Sequence, residues 1–228
     1  MIYKIADLLV EIPAAGGLAP RCEAYLDIQE ALPDIAIEEE GYRLHLYPGQ
    51  PYEVTAYMES GLQFYGALLK FGGMMLHSSA VEVDGRAYLF SGDSGVGKST
   101  HTRQWQKLFG EKAQIFNDDK PALRKVDGIW YAYGTPWSGK TGQNLNLRAP
   151  LAGICIIERG ETNEITPFTG PQMVKMILSQ TTELNNPVLR LKQLDLLDKL
   201  LTQVPVWKLK CNMDPEAARI SHAAMSAK

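Results

Sequence analysis

Two segments of this 228-residue chain carry the spacing G-x-x-x-x-G-K-[ST]: Gly92-Asp93-Ser94-Gly95-Val96-Gly97-Lys98-Ser99 and Gly134-Thr135-Pro136-Trp137-Ser138-Gly139-Lys140-Thr141. Such a loop cradles phosphate when a strand runs in, glycines let backbone N–H groups converge, and a helix leaves with its N-terminus toward the anion. The first copy meets all three conditions. Arg86 to Phe90 has strand character, and Ser99 to Phe109 places Trp105, Leu108 and Phe109 at helical spacing, with Gly110 as the stop. The second copy follows a strand, Ile129 to Tyr133, but Gly142, Asn144, Asn146 and Pro150 after it oppose a helix. A loop between strands is expected there.

The strand entering the first loop has an antiparallel neighbour. Val81-Glu82-Val83, Asp84-Gly85 and Arg86-Ala87-Tyr88 read as strand, two-residue turn and strand, and the pattern recurs at Ala122 to Val126, Asp127-Gly128 and Ile129 to Tyr133. A mixed sheet follows. Most phosphate-loop proteins feed the loop from parallel strand-helix-strand units instead. Leu151 to Glu158 is an apolar run of the kind covered on both faces. Val54 to Phe71 reads as a helix with Met58, Leu62, Tyr65, Leu68 and Leu69 on its apolar side, ended by Gly72-Gly73, and Met74 to Val83 as one strand. The last third is helical: Gln172 to Thr181, Val188 to Val204, and a helix starting at Asp214-Pro215-Glu216, with Pro205 to Lys210 as a short edge strand. Residues 1–50 form a β-rich appendage with strands over Ile2 to Ile12, Ile35 to Glu38 and Tyr42 to Tyr47, and residues 51–228 the main domain.

Composition bounds the partners. Hydrophobic residues make up 45% and charged residues 21%, with a formal charge of −3. No basic run supports nucleic-acid binding, and no segment is long enough to span a membrane. The N-terminus lacks an export signal, so a cytoplasmic protein is expected. Cys22, Cys155 and Cys211 are too scattered for a zinc site or a disulfide framework.

Chemistry concentrates around the first loop. Its backbone from Gly92 to Thr100, through Asp93, Ser94, Gly95, Val96 and Gly97, would wrap phosphates, Lys98 would neutralise them, and the Ser99 hydroxyl would bind Mg²⁺. Ala113 to Asn117 reads as a short strand ending in Asp118-Asp119, placed as an acid/base and a Mg²⁺ partner would be. His77 lies on the strand expected beside the loop strand, while His45, His101 and His222 have no such placement. In the second loop Lys140 or Arg148 is the candidate for an extra cation, and Trp137 the candidate shield against water.

Leu76-His77-Ser78-Ser79-Ala80, the run Leu89 to Ser99 and Asn117-Asp118-Asp119 together resemble the catalytic domain of bacterial HPr kinase/phosphorylase, a family that shares its core with the phosphoenolpyruvate carboxykinases. The resemblance covers Met74 to Asp119 and the rest only loosely. It implies an α/β fold with a mixed-sheet P-loop core and a helical C-terminal region. It also implies ATP and Mg²⁺ as cofactors, Lys98 and Ser99 on nucleotide and metal, Asp118 as the acid/base facing a serine hydroxyl, Asp119 near Mg²⁺, and His77 close to the phosphates. The chain differs in having no room for the family's separate N-terminal domain. Its Glu158-Arg159-Gly160 is similar to the family's Arg-Gly signature but continues as Glu161-Thr162-Asn163.

The resulting expectation is a Mg²⁺-dependent kinase that phosphorylates a hydroxyl, first of all a serine in a protein or peptide, with a small molecule as the alternative acceptor. Self-association into a homo-oligomer is left open. Two other readings are a carboxykinase-like enzyme, for which no second set of metal-binding His and Lys is found, and a nucleotide-binding regulatory module without turnover.

Overall fold

Two Asp-Gly turns set the architecture. Asp84 and Gly85 have φ of 51° and 77°, and Asp127 and Gly128 of 50° and 84°, the paired positive values that a two-residue turn between twisted strands requires. The hairpins close at Val83 opposite Arg86 and at Val126 opposite Ile129. The computed structural model describes residues 1–13, 16–27, 31–39 and 50–227. The strand expected over Tyr42 to Tyr47 lies outside them, as does His45.

The described strands are β1 (Ile2–Ile5), β2 (Leu8–Glu11), β3 (Ile35–Ala36), β4 (Gly73–Met75), β5 (Ser78–Val83), β6 (Arg86–Ser91), β7 (Ala113–Asn117), β8 (Ala122–Val126), β9 (Ile129–Tyr133), β10 (Arg148–Arg159), β11 (Glu164–Pro167) and β12 (Val206–Cys211). The described helices are α1 (Ala19–Cys22), α2 (Tyr52–Leu68), α3 (Lys98–Phe109), α4 (Pro171–Ser179), α5 (Pro187–Leu201) and α6 (Glu216–Ser226). None is long and apolar enough to cross a membrane.

The main sheet runs β4-β8-β9-β10-β6-β5-β7, with β12 beside β10 and β11 beside β12. Strand β10 serves two arms: its first residues pair antiparallel with β9, and from Leu151 it pairs parallel with β6 after a bulge at Leu151/Gly153. The sheet is therefore mixed, and β6 has β5 antiparallel on one side and β10 parallel on the other.

Alternate side chains of these central strands enter different cores, as the two-residue period of a strand dictates. Leu89, Ile154 and Ile156 pack with Ile177 of α4 and Leu197 and Leu200 of α5. Phe90, Cys155 and Ile157 pack with Trp105 of α3 and Ala218 and Met225 of α6. Both faces are covered, which is why β10 reads as a near-continuous apolar run. A third core joins the small sheet β1-β2-β3 to α2, through Ile5, Val10, Phe64 and Leu68, and includes Tyr133 and Trp137.

Four expectations change. Ile2 to Ile12 is two strands, because Ala6 and Asp7 adopt φ of 52° and 59° and reverse the chain without glycine. Met74 to Val83 also splits: β4 pairs with β8 and β5 with β6 and β7, so His77 stands in the crossing between the two arms. On α2 the buried side includes Ala56, Ser60, Gly61 and Phe64, whereas Met58 and Leu62 are exposed. Small residues face inward because Trp137 packs directly on the helix, 3.0 Å from where a Gly61 Cβ would stand. Finally, β12 is not an edge, since β11 covers its outer side.

His101, buried on α3, gives the fold a pH dependence. Ser221 donates its hydroxyl hydrogen to Ala218 and accepts from Trp105 Nε1 at 2.9 Å, so His101 Nε2, at 3.0 Å, is the donor to Ser221. Its Nδ1 has no partner, and burial lowers the pKa from 6.5 to about 4. Between those values the unfolded chain takes up a proton that the folded chain refuses, so this contribution is complete above pH 6.5 and is lost toward pH 4. Urea denaturation at pH 7 and pH 4 should show a loss that is smaller in His101→Gln by on the order of 3 kcal/mol.

Candidate functional site

The loop from Gly92 to Gly97 leaves β6 and enters α3, with Gly92, Gly95 and Gly97 all at positive φ. At Gly92 the need for glycine is also steric, since a Cβ would stand 2.8 Å from the Ile157 carbonyl oxygen. Lys98 opens the helix and folds back, its Nζ donating to the carbonyls of Gly92 at 2.9 Å and Asp93 at 3.1 Å. Burial pulls its pKa below the usual lysine value, against the opposing pull of Asp119, Asp93 and Asp118.

The paired aspartates are held by the residue before them. Asn117, fully buried at the end of β7, donates from Nδ2 to the Thr135 carbonyl at 3.0 Å and to Thr135 Oγ1 at 3.1 Å. Its Oδ1 accepts from the amides of Asp119 at 3.1 Å and Lys120 at 2.8 Å. This Asx turn fixes the corner. The two carboxylates then meet different surroundings. Asp119 accepts from His77 Nε2 at 3.1 Å and pairs with Lys120. Burial alone would raise its pKa, but His77 and Lys120 outweigh that and hold it below the usual carboxylate range. Asp118 is only 8% exposed, and neither of its oxygens has a hydrogen-bond partner.

The second motif is drawn to the same corner. Asp118 N donates to the Gln143 carbonyl and Leu145 N to that of Phe116, while a Cβ on Gly134 would lie 1.9 Å from the Leu145 oxygen and one on Gly139 2.8 Å from Asp119 Cβ. Its glycines therefore serve close packing, and a single 3-10 turn, Gly139–Thr141, stands where the first motif has a helix. Arg21 bolts the loop down, donating to Gly139 O at 2.7 Å and Ser138 Oγ at 3.2 Å with its guanidinium 5.1 Å from the Tyr57 ring centre. The Tyr57 hydroxyl accepts from the Gly139 amide at 2.9 Å.

Both motifs line one cleft of about 770 Å³, which brings together Ser94, Gly95, Lys98, Ser99, His77, Asp118, Asp119 and Lys140. Val96, Gly97 and Thr100 line a separate cavity on the other side of the loop, with Gly95 belonging to both. Two candidates fall away. Arg148 is paired with Asp7 and stacked on Tyr131, outside the cleft. Trp137 is a fully buried member of the α2 core, stacked on Phe64 and donating to Ser60 Oγ, and does not line the cleft.

Arg21, Tyr57 and Lys120 also line the cleft and were not singled out from sequence. Lys120 directly follows the aspartate pair, a signal that was there to use. Arg21 lies 117 residues from Ser138 in sequence, and nothing local to it announces the contact.

The chain matches no family model and no curated protein. Among solved structures it is similar to the Hpr(Ser) kinase/phosphatase from Coxiella burnetii, with a TM-score of 0.37 and 10% identity over 67% of this chain and 92% of that one. A likeness of that degree carries neither activity nor substrate across.

Asn117→Ala removes two donated and two accepted hydrogen bonds from a buried corner. Urea denaturation should show a loss of about 3 kcal/mol, the sum expected for stranding these partners.

Proposed function

We propose that the protein is a Mg²⁺-dependent phosphotransferase that moves the γ-phosphoryl group of ATP to a hydroxyl, in the first instance a serine of a protein or peptide. The observation that carries this reading is Asp118, a buried carboxylate with both oxygens unpartnered, in the cleft that Lys98 and Ser99 also line. Polar atoms buried without partners are costly, and functional sites are where such costs persist.

The residues present fit Mg²⁺ with nucleotide. Among the described residues no cluster of three His, Cys, Asp or Glu side chains is placed to hold a metal, but Mg²⁺ in kinases is held by one or two carboxylates, water and the substrate's own phosphates. Ser99 and Asp119 would hold it, with Asp118 beside them. Bound there, Mg²⁺ supplies charge neutralisation to the phosphates.

The chain's own groups would divide the work by environment. Amides of the Gly92–Gly97 loop and the N-terminus of α3 receive the phosphates. Lys98 exchanges its two loop carbonyls for phosphate oxygens. Asp118 takes the acceptor's hydroxyl proton as the oxygen–phosphorus bond forms and the bond to ADP breaks. Asp119 cannot share that role while His77 and Lys120 occupy it. His77 is a positioning residue, its Nδ1 3.2 Å from Gln180 Oε1 and its Nε2 on Asp119. Lys140, exposed and lining the same cleft, supplies a second positive charge.

Incubation with labelled ATP, Mg²⁺ and a panel of hydroxyl-bearing proteins, peptides and small molecules tests the assignment. Asp118→Asn should keep nucleotide binding and lose transfer by about 10²–10⁴-fold. Lys98→Ala should lose binding, and Lys140→Ala should keep most binding and slow transfer. Full-rate transfer by Asp118→Asn would overturn the mechanism.

A further inference from the structure

Helix α2 carries three large apolar residues outside the core, Val54, Met58 and Leu62, which are 39%, 45% and 41% exposed. They stand four residues apart and so form one ridge just over two turns long, ~12 Å. One end of the ridge is in the aspartate cleft, where Val54 and Met58 join Lys98, Asp118 and Lys140 as walls. Met58 and Leu62 then line a smaller cavity of about 180 Å³. The two spaces share Tyr57, Met58 and Lys120, and no residue of the phosphate loop lines the smaller one. It joins the cleft at the aspartate corner. In-line transfer brings the acceptor in opposite the nucleotide, which is the side this cavity serves.

We propose that the cavity is an acceptor subsite, taking one aromatic side chain of a peptide whose serine lies at Asp118. The inference rests on the reading of the cleft as a phosphotransferase site. Size sets the first limit. An apolar cavity of ~150 Å³ takes up benzene, so this one holds a single six-membered ring. The walls set the second. Tyr57, Tyr65 and Trp137 stand around it, and each has its polar atom engaged elsewhere: the Tyr57 hydroxyl with the Gly139 amide, the Tyr65 hydroxyl with the Lys120 carbonyl, and the Trp137 indole N–H with Ser60 Oγ. What they offer is ring carbon, which favours edge-to-face or offset contact with another ring. Met58 and Met75 add thioethers, which also make favourable contacts with aromatic rings. Among the described residues Lys120 is the one charged wall, and its ammonium is paired with Asp119 and lies 5.7 Å from the Tyr57 ring centre. Thr182 is the remaining polar wall.

The ridge favours a chain over a small molecule as the owner of that ring. It continues past the cavity, because Leu62 also lines a further hollow with Gln63, Ala67 and Leu184. An apolar track of ~12 Å matches about four residues of extended peptide. Met58 and Leu62, which the packing of Trp137 against the other side of α2 leaves outside the core, thereby acquire a partner.

Short capped peptides with one serine, in which a phenylalanine is walked through an alanine background, test this by calorimetric binding in Mg²⁺ and by label transfer from ATP. Phenylalanine at one position near the serine should bind at least about tenfold more tightly than alanine there, the gain expected for burying one ring. Leu62 does not line the cleft, so Leu62→Trp fills the cavity from the exposed face of α2 and should bring that ratio close to one, whereas Leu62→Met should keep it. Label transfer without a phenylalanine preference, or a preference that survives Leu62→Trp, would overturn the subsite while leaving the phosphotransferase standing. A phenylalanine preference in binding that Leu62→Trp erases, with no label transferred to any peptide, would keep the aromatic cavity and overturn the phosphotransferase. Absence of both the preference and the transfer would overturn the two together.

Discussion

The site depends on one buried amide. Asn117 sits where β7 ends, and its side chain does what backbone cannot do at a sheet terminus: it accepts from two successive amides and donates to a residue eighteen positions away. Those four bonds fix the corner that carries Asp118, Asp119 and Lys120, and they attach it to Thr135 at the start of the second motif. Tyr65 from α2 adds a hydroxyl that donates to the Lys120 carbonyl and lies 3.0 Å from Thr135 Oγ1. The side chains of Asn117, Thr135 and Tyr65 in this buried cluster all have partners, which ties the corner together beside the unpartnered Asp118 carboxyl.

The sheet brings the remaining parts to that corner. Pairing of β6 with β10 and β5 sets the first loop at one end of the strands, and β7 beside β5 places the aspartates at the same end. The crossing between β4 and β5 puts His77 there too, its amide held by the Gln180 carbonyl at 2.7 Å and the next amide by that of Asp119 at 3.1 Å. Neighbouring carboxylates repel, and this arrangement separates them by environment: His77 and Lys120 hold the Asp119 carboxyl below the usual carboxylate range, and the Asp118 oxygens are left without a hydrogen-bond partner. Two aspartates adjacent in sequence thereby acquire different surroundings.

Features with a local physical signature were legible in the sequence. Asp84-Gly85 and Asp127-Gly128 announced their hairpins, the apolar run at Ile154 to Ile157 announced a doubly covered strand, and Asp214-Pro215-Glu216 announced the start of α6, where Asp214 Oδ1 accepts from the Glu216 amide at 2.8 Å. The first motif, its helix and the downstream aspartates fell within fifty residues of each other and could be read as a unit. What could not be read was set by distant packing. Ala6-Asp7 turns without glycine, and Glu164 to Pro167 is too short and polar to stand out as β11. Met58 and Leu62 look like core until Trp137, far along the chain, claims the opposite side of α2. Arg21 gains its part only from the loop folded onto it.

The second motif began as a spacing without a helix and ends as a wall of the same cleft, held by Arg21, Tyr57 and Asn117. Hydrogen exchange with and without Mg·ATP measures whether the two motifs act as one site. Protection at Gly92–Ser99, at Asp118–Lys120 and at Gly139–Thr141 together, with the β1-β2 hairpin unchanged, is the predicted result. Protection confined to Gly92–Ser99, or none at any of the three segments, would contradict it.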